Sequence, residues 1–164
     1  MAQVTLGGNA VNTNADLPVV GSPAPDFTLA GSDLGRITAA MLLGKKVILN
    51  IFPSVDTPTC AASVRAFNVR AADRDDAVVL CVSADLPFAQ GRFCGAEGIT
   101  NVVNASGFRS SFANDYGVNM VDGKLAGLMA RAVVVIDESG TVAYTELVPE
   151  IAQEPDYDAA FAAL

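Results

Sequence analysis

The chain has 164 residues, of which 51% are hydrophobic and 17% charged, so one domain with a sizeable core is expected and disorder is excluded. Ten basic side chains against eighteen acidic ones leave a net charge of −8, which repels phosphate backbones and anionic lipid; neither nucleic acid nor membrane is an expected partner. No apolar run approaches the ~20 residues of a membrane span, no signal segment is visible, and a cytoplasmic location is the default expectation.

Val4 to Leu6 and Ala10 to Thr13 flank Gly7-Gly8-Asn9, a hairpin signal. Gly21-Ser22-Pro23-Ala24-Pro25 reads as a connector, followed by a short strand at Phe27 to Leu29 and a helical turn within Leu34 to Leu43. Lys46 to Phe52 is a nearly unbroken apolar run, the pattern of a strand covered on both faces, and Pro53 ends it. Pro58 suits a helix start, and Thr59 to Arg74 carries Cys60, Val64, Phe67 and Ala71 on one helical face. Ala77 to Ser83 is the next buried strand. Asp85 is placed to cap a short helix from Leu86 to Phe93, with Pro87 in its first turn. Val102-Val103 is a weak strand signal, and Phe108, Phe112 and Tyr116 predict a helix over Ser110 to Tyr116. Ala132 to Ile136 is a third buried strand, turned by Asp137-Glu138-Ser139-Gly140 into Thr141 to Leu147. Asp156 is a cap for a closing helix that runs to Leu164. Strands alternating with helices, and a late hairpin, describe an α/β sandwich with a mixed central sheet.

The chain contains three cysteines and no histidine. An odd, sparse set does not read as a disulfide framework, and without histidine or a close cysteine pair it is a poor zinc set. No metal and no cofactor are expected. Cys60 falls in the first turn of its helix, where unpaired amides and the positive helix end favour a thiolate. With no histidine available, that thiolate must be stabilised by dipoles or a cation rather than by a base. A buried, inert helix cysteine is the alternative that position alone leaves open. Thr57, three residues earlier, can bring its hydroxyl to the same sulfur. Arg131, entering a buried strand, needs a partner; a salt bridge at the strand end is the ordinary way to supply one. Cys81, in mid-strand, reads as core packing.

Pro53-Ser54-Val55-Asp56-Thr57-Pro58-Thr59-Cys60 resembles the active-site signature of the peroxiredoxins, Pro-x-x-x-Thr-x-x-Cys. Further blocks resemble their thiol peroxidase subfamily of the atypical two-cysteine type: Cys60 to Arg65, Ser83 to Ala89, Arg92 to Gly98, Ala130 to Asp137 and Glu154 to Tyr157. The likeness runs from about residue 45 to 160, with a matching N-terminal β-hairpin. It implies a single thioredoxin-like domain over residues 1–164. It also implies that Cys60 is the peroxidatic cysteine, that Thr57 hydrogen-bonds the sulfur and the peroxide, and that Pro53 shields the pocket. Arg131 would favour the thiolate and polarise the O–O bond. Cys94 would be the resolving cysteine, forming an intramolecular disulfide with Cys60. The two lie on separate predicted helices, so the bridge is expected to need partial unwinding around both, made easier by Gly91 and Gly95.

The resemblance further implies hydrogen peroxide and alkyl or lipid hydroperoxides as substrates, thioredoxin as reductant, an antioxidant role and a homodimer. Phe52, Phe88, Phe93, Phe108 and Met129 are candidates for an apolar substrate pocket, or else for core. Three rivals are weaker. A thiol–disulfide oxidoreductase would carry Cys-x-x-Cys, but Thr57 stands where the first cysteine would be. A redox sensor could use the same two cysteines without turnover. A ligand-binding domain with incidental cysteines would have no activated thiol.

Overall fold

Residues 47 to 51 send alternate side chains to two buried faces, and the fold is built around that alternation. A computed structural model describes residues 1–164. Two short strands, β1 (Gln3–Leu6) and β2 (Asn9–Asn12), form an antiparallel hairpin. Gly7 and Gly8 make its turn at φ +58 and +83, a tight mirror-image turn that disfavours other residues. Seven further strands follow: β3 (Thr28–Ala30), β4 (Arg36–Thr38), β5 (Lys46–Ile51), β6 (Ala77–Ser83), β7 (Val103–Ser106), β8 (Ala132–Ile136) and β9 (Val142–Leu147). They form one sheet in the order β4-β3-β7-β6-β5-β8-β9. β5, β6 and β7 run parallel, whereas β8 and β9 add antiparallel at one edge and β3 and β4 at the other. The expected mixed-sheet α/β sandwich with an N-terminal hairpin is the architecture observed.

Helices α1 (Pro58–Ala71) and α2 (Pro87–Glu97) are the crossovers between the parallel strands, as parallel neighbours require. Both pack on one face of the sheet with α4 (Tyr157–Ala162), against Ile48, Val79, Cys81, Val133 and Val135. The other face buries Val47, Leu49, Ile51, Leu80 and Val82 under Phe27, Phe112 and Tyr116, with α3 (Phe112–Asp115). A third, smaller cluster joins Val4 and Val11 of the hairpin to Met120, Ala130 and Ile151. That cluster seats the hairpin beside the start of β8.

Several local expectations shift for physical reasons. The helix expected from Thr59 starts at Pro58 and stops at Ala71. The helix expected over Ser110 to Tyr116 is a single short turn, ended by Gly117 at φ +71; Phe112 and Tyr116 stack on each other at 4.4 Å in the core while Phe108 stays exposed. The turn expected between Leu34 and Leu43 is divided between β4 and a 3-10 turn at Ala40–Leu42. Asp156 does cap α4, accepting from the Ala159 amide at 3.0 Å. Asp85 does not cap α2. Leu86 occupies the cap position immediately before Pro87, and the Asp85 carboxylate turns instead toward the loop that precedes Cys60.

Candidate active site

Pro58 takes the first position of α1, where a missing N–H costs nothing, and Thr57 enters in extended conformation at φ −101 and ψ 144. Cys60 is therefore the third helical residue, fully buried in the first turn. Arg131, the residue preceding β8, is 1% exposed. Its Nη2 donates to the Cys60 sulfur at 3.2 Å and its Nε donates to the Ile151 carbonyl at 2.8 Å. Its Nη1 is buried with no partner. No carboxylate pairs with this guanidinium; the chain's ion pairs all lie elsewhere. Removing an uncompensated cation from water costs several kcal/mol, so the site is built to hold a negative charge opposite Arg131. The Cys60 sulfur is the group that faces the guanidinium.

Above the pair is a cavity of about 250 Å³ lined by Pro53, Thr57, Pro58 and Arg131 together with apolar Leu6, Leu125 and Ile151. The hairpin contributes Leu6, and it is fixed there by a bond from the Thr5 amide to the Pro149 carbonyl at 2.7 Å and from the Ile151 amide to the Thr5 carbonyl at 2.8 Å. The aromatic pocket envisaged from the sequence is not formed. Phe52, Phe93 and Met129 are packed in the interior, and Phe88 and Phe108 are exposed at 67% and 43%. The aliphatic wall comes from segments far apart in sequence.

The structure thus brings Pro53, Thr57, Cys60 and Arg131 together and leaves Cys94 apart. The Thr57 hydroxyl donates to the Ser54 carbonyl at 3.0 Å rather than to the sulfur; its lone pairs stay available at the cavity wall. None of the three cysteines is joined in a disulfide. Cys94 lies on the underside of α2, where its sulfur meets the Asn104 side-chain amide, at 3.1 Å from Nδ2 and 3.3 Å from Oδ1. Burial pushes the Cys94 thiol up, partly opposed by the Asn104 bond. Cys81 is driven up to about 12 by burial, against a weak bond from Asn50 at 3.7 Å, so it stays an inert thiol at neutral pH.

Reading by residue type missed Ile151, which acts through its carbonyl, and Asn104, whose only signal is a polar residue interrupting a buried strand. Asn50 interrupts β5 in the same way and pairs in register with Cys81, which in turn pairs with Asn104.

A mixed-sheet α/β fold with a helix-start cysteine bonded to a buried guanidinium defines a thiol-based redox enzyme. The family model described as Redoxin matches residues 19–161. The chain is 68% identical over 164 residues to the thiol peroxidase of Mycobacterium tuberculosis (strain ATCC 25618 / H37Rv), spanning 100% of this chain and 99% of that one. It is 53% identical to the thiol peroxidase of Corynebacterium glutamicum over the same spans. The crystal structure of a peroxiredoxin-like protein from Aquifex aeolicus superposes with a TM-score of 0.94 at 39% identity, covering 99% of this chain and 96% of that one. The chain belongs to the redoxin family and, within it, to the thiol peroxidases, a group of peroxiredoxin enzymes with a thioredoxin-like fold.

Proposed function

We propose that this protein reduces hydrogen peroxide and alkyl or lipid hydroperoxides through Cys60. The carrying observation is the buried Arg131 guanidinium, bonded to the Cys60 sulfur at 3.2 Å with a second nitrogen unpartnered. A hydroperoxide entering the cavity supplies the missing acceptor. Its developing oxyanion is then stabilised by a donor fixed in advance, in a site from which water is largely displaced. Leu6, Leu125 and Ile151 offer an alkyl chain an apolar wall, which supports organic hydroperoxides as substrates.

The Cys60 thiolate attacks the terminal peroxide oxygen. The O–O bond breaks, the leaving alkoxide takes a proton and departs as alcohol or water, and Cys60 becomes a sulfenic acid. The Cys94 thiolate then attacks that sulfur, expelling hydroxide, which is protonated to water, and an intramolecular Cys60–Cys94 disulfide forms. In the structure each sulfur is turned to its own buried partner, so the second step requires α2 and the first turn of α1 to open. Opening also exposes Cys94 and releases its thiol from the burial that keeps it protonated. Gly91 and Gly95 lie within α2 with nothing within 4 Å of an added Cβ; packing does not demand glycine there, and both lower the helix's stability. A thioredoxin dithiol returns both cysteines to thiols by exchange. Thioredoxin as reductant, a homodimer and antioxidant defence are read from the family resemblance, one domain over residues 1–164 from chain length and that resemblance, and a cytoplasmic location from the sequence reading alone. No helix is long and apolar enough to cross a membrane.

Peroxide consumption with a thioredoxin system tests this reading. Cys60→Ser is expected to lose activity. Cys94→Ser is expected to lose thioredoxin-linked turnover while still forming one sulfenic acid per chain, and Cys81→Ser to keep full turnover. Full turnover in Cys60→Ser would sink the proposal.

A further inference from the structure

Asp85 is the residue whose expected capping role the fold does not use, and its carboxylate is occupied elsewhere. Oδ1 accepts from the Ser54 hydroxyl at 2.7 Å, and Oδ2 accepts from the Val55 amide at 2.9 Å and from the Ser83 hydroxyl at 2.6 Å. Its own carbonyl accepts from the Ser106 hydroxyl. One side chain thus ties the loop before Cys60 to the chain entering α2. The bonds continue on both sides. Ser54 accepts at its carbonyl from the Thr57 hydroxyl at 3.0 Å. Ser83 accepts from the Gln90 amide of α2 at 3.0 Å, and the Gln90 carbonyl accepts from Asn104, which also holds Cys94.

We infer that Asp85 is a positioning residue that latches the Cys60 loop to α2, so that the two segments whose opening joins Cys60 to Cys94 open together. The inference rests on the two-cysteine cycle proposed above. The only other polar link between loop and helix is the Arg92–Asp56 ion pair at 3.1 Å, with both side chains about 60% exposed at 64% and 59%. Such a pair is screened by water and salt and holds weakly. The Asp85 bonds are part-buried and charge-assisted, hence stronger. On the α2 side the seam is under-satisfied, because the Gln90 Oε1 is buried without a partner. That unmet acceptor lowers the cost of opening α2 once the latch yields, against the bonds from Gln90 to the Ala105 carbonyl and from Asn104. Coupling demands a two-state element that both sites bias, and the opening of α2 with the first turn of α1 is that element.

Amide exchange by nuclear magnetic resonance on the reduced protein, without peroxide, reads the coupling directly. Replacing Gly91 and Gly95 with alanine stabilises α2 and should slow exchange across the helix about tenfold. With Asp85 in place, the Thr57 and Ala61 amides, neither of which bonds Asp85, should slow by a similar factor. In an Asp85→Asn background they should no longer follow. If they ignore the stabilised helix in the parent, or still follow it in Asp85→Asn, the latch is overturned. Ser54→Ala, which removes one of the three bonds to the Asp85 carboxylate and the acceptor of the Asp56 amide at 3.2 Å, should weaken the coupling partially and serves if Asp85→Asn does not fold. A second readout is the quenched single-turnover rate from Cys60 sulfenic acid to disulfide, expected to rise about tenfold in Asp85→Asn; an unchanged or slower rate also overturns the inference. Because the exchange arm uses no turnover, its failure is distinguishable from failure of the Cys94→Ser assay.

Discussion

At the scale of single residues, the site depends on what a guanidinium can do and an ammonium cannot. Arg131 donates in two directions at once, to the Ile151 carbonyl at 2.8 Å and to the Cys60 sulfur at 3.2 Å, and retains a third nitrogen. The planar fork fixes all three directions with one side chain. Lysine keeps the charge but has one nitrogen, and it cannot reach the carbonyl and sulfur while still offering a donor to the substrate. A hydrogen bond to a charged group contributes about 1.5–3 kcal/mol, so losing one in the transition state costs about 10- to 150-fold. Arg131→Lys is therefore expected to lower kcat/KM about 30-fold without unfolding the chain. Steady-state peroxidase assays and thermal melts check both, and a variant with parental kcat/KM would show that charge alone suffices.

At the scale of elements, the hairpin and the Ile151 segment form one unit, joined by Glu150. Its carboxylate accepts from the Ala152 amide at 2.9 Å, the Gly8 amide at 3.0 Å and the Thr5 hydroxyl at 3.1 Å. The Ala152 and Gly8 amides hold it below the usual carboxylate range. A depressed folded value means a contribution present above the ordinary glutamate value of about 4.3 and lost as pH falls through the folded one. Glu150→Gln should thus melt lower than the parent at neutral pH, with the gap closing as pH falls below the ordinary glutamate value and through the folded one. Parallel thermal melts across that range test it, and a gap that persists at low pH would mean the carboxylate's charge is not the link. These elements also show what sequence makes legible. Thr57, Pro58 and Cys60 lie within four consecutive positions, and the rules for helix starts place them without tertiary information. The Ile151 carbonyl has no side-chain identity to betray it. Leu6, Leu125 and Asn104 meet their partners only after long-range packing. Asp85 departs from the local capping rule because donors about thirty positions away, Ser54 and Val55, take its carboxylate.

At the scale of the molecule, two opposing terms set what oxidation does to stability. Cys60 and Cys94 stand 34 positions apart, so by the chain-entropy account a crosslink between them costs the unfolded state about 4 kcal/mol. Under the proposed cycle, opening α2 would uncover Phe93, now 8% exposed beneath the Arg65 guanidinium, together with the buried Gln90. Exposing a large apolar side chain costs about 1.5–3 kcal/mol. The terms nearly offset, so the melting temperature of the two redox forms should differ little while their local order differs greatly. Arg92, in the middle of α2, reports this, because a protease must unwind its substrate before cutting. Trypsin should cleave after Arg92 at least about tenfold faster in the oxidised protein, with global melting midpoints close together. Equal cleavage rates would mean that the disulfide forms without opening the helix. A large fall in the melting midpoint would mean that the opening spreads beyond α2 into the sheet.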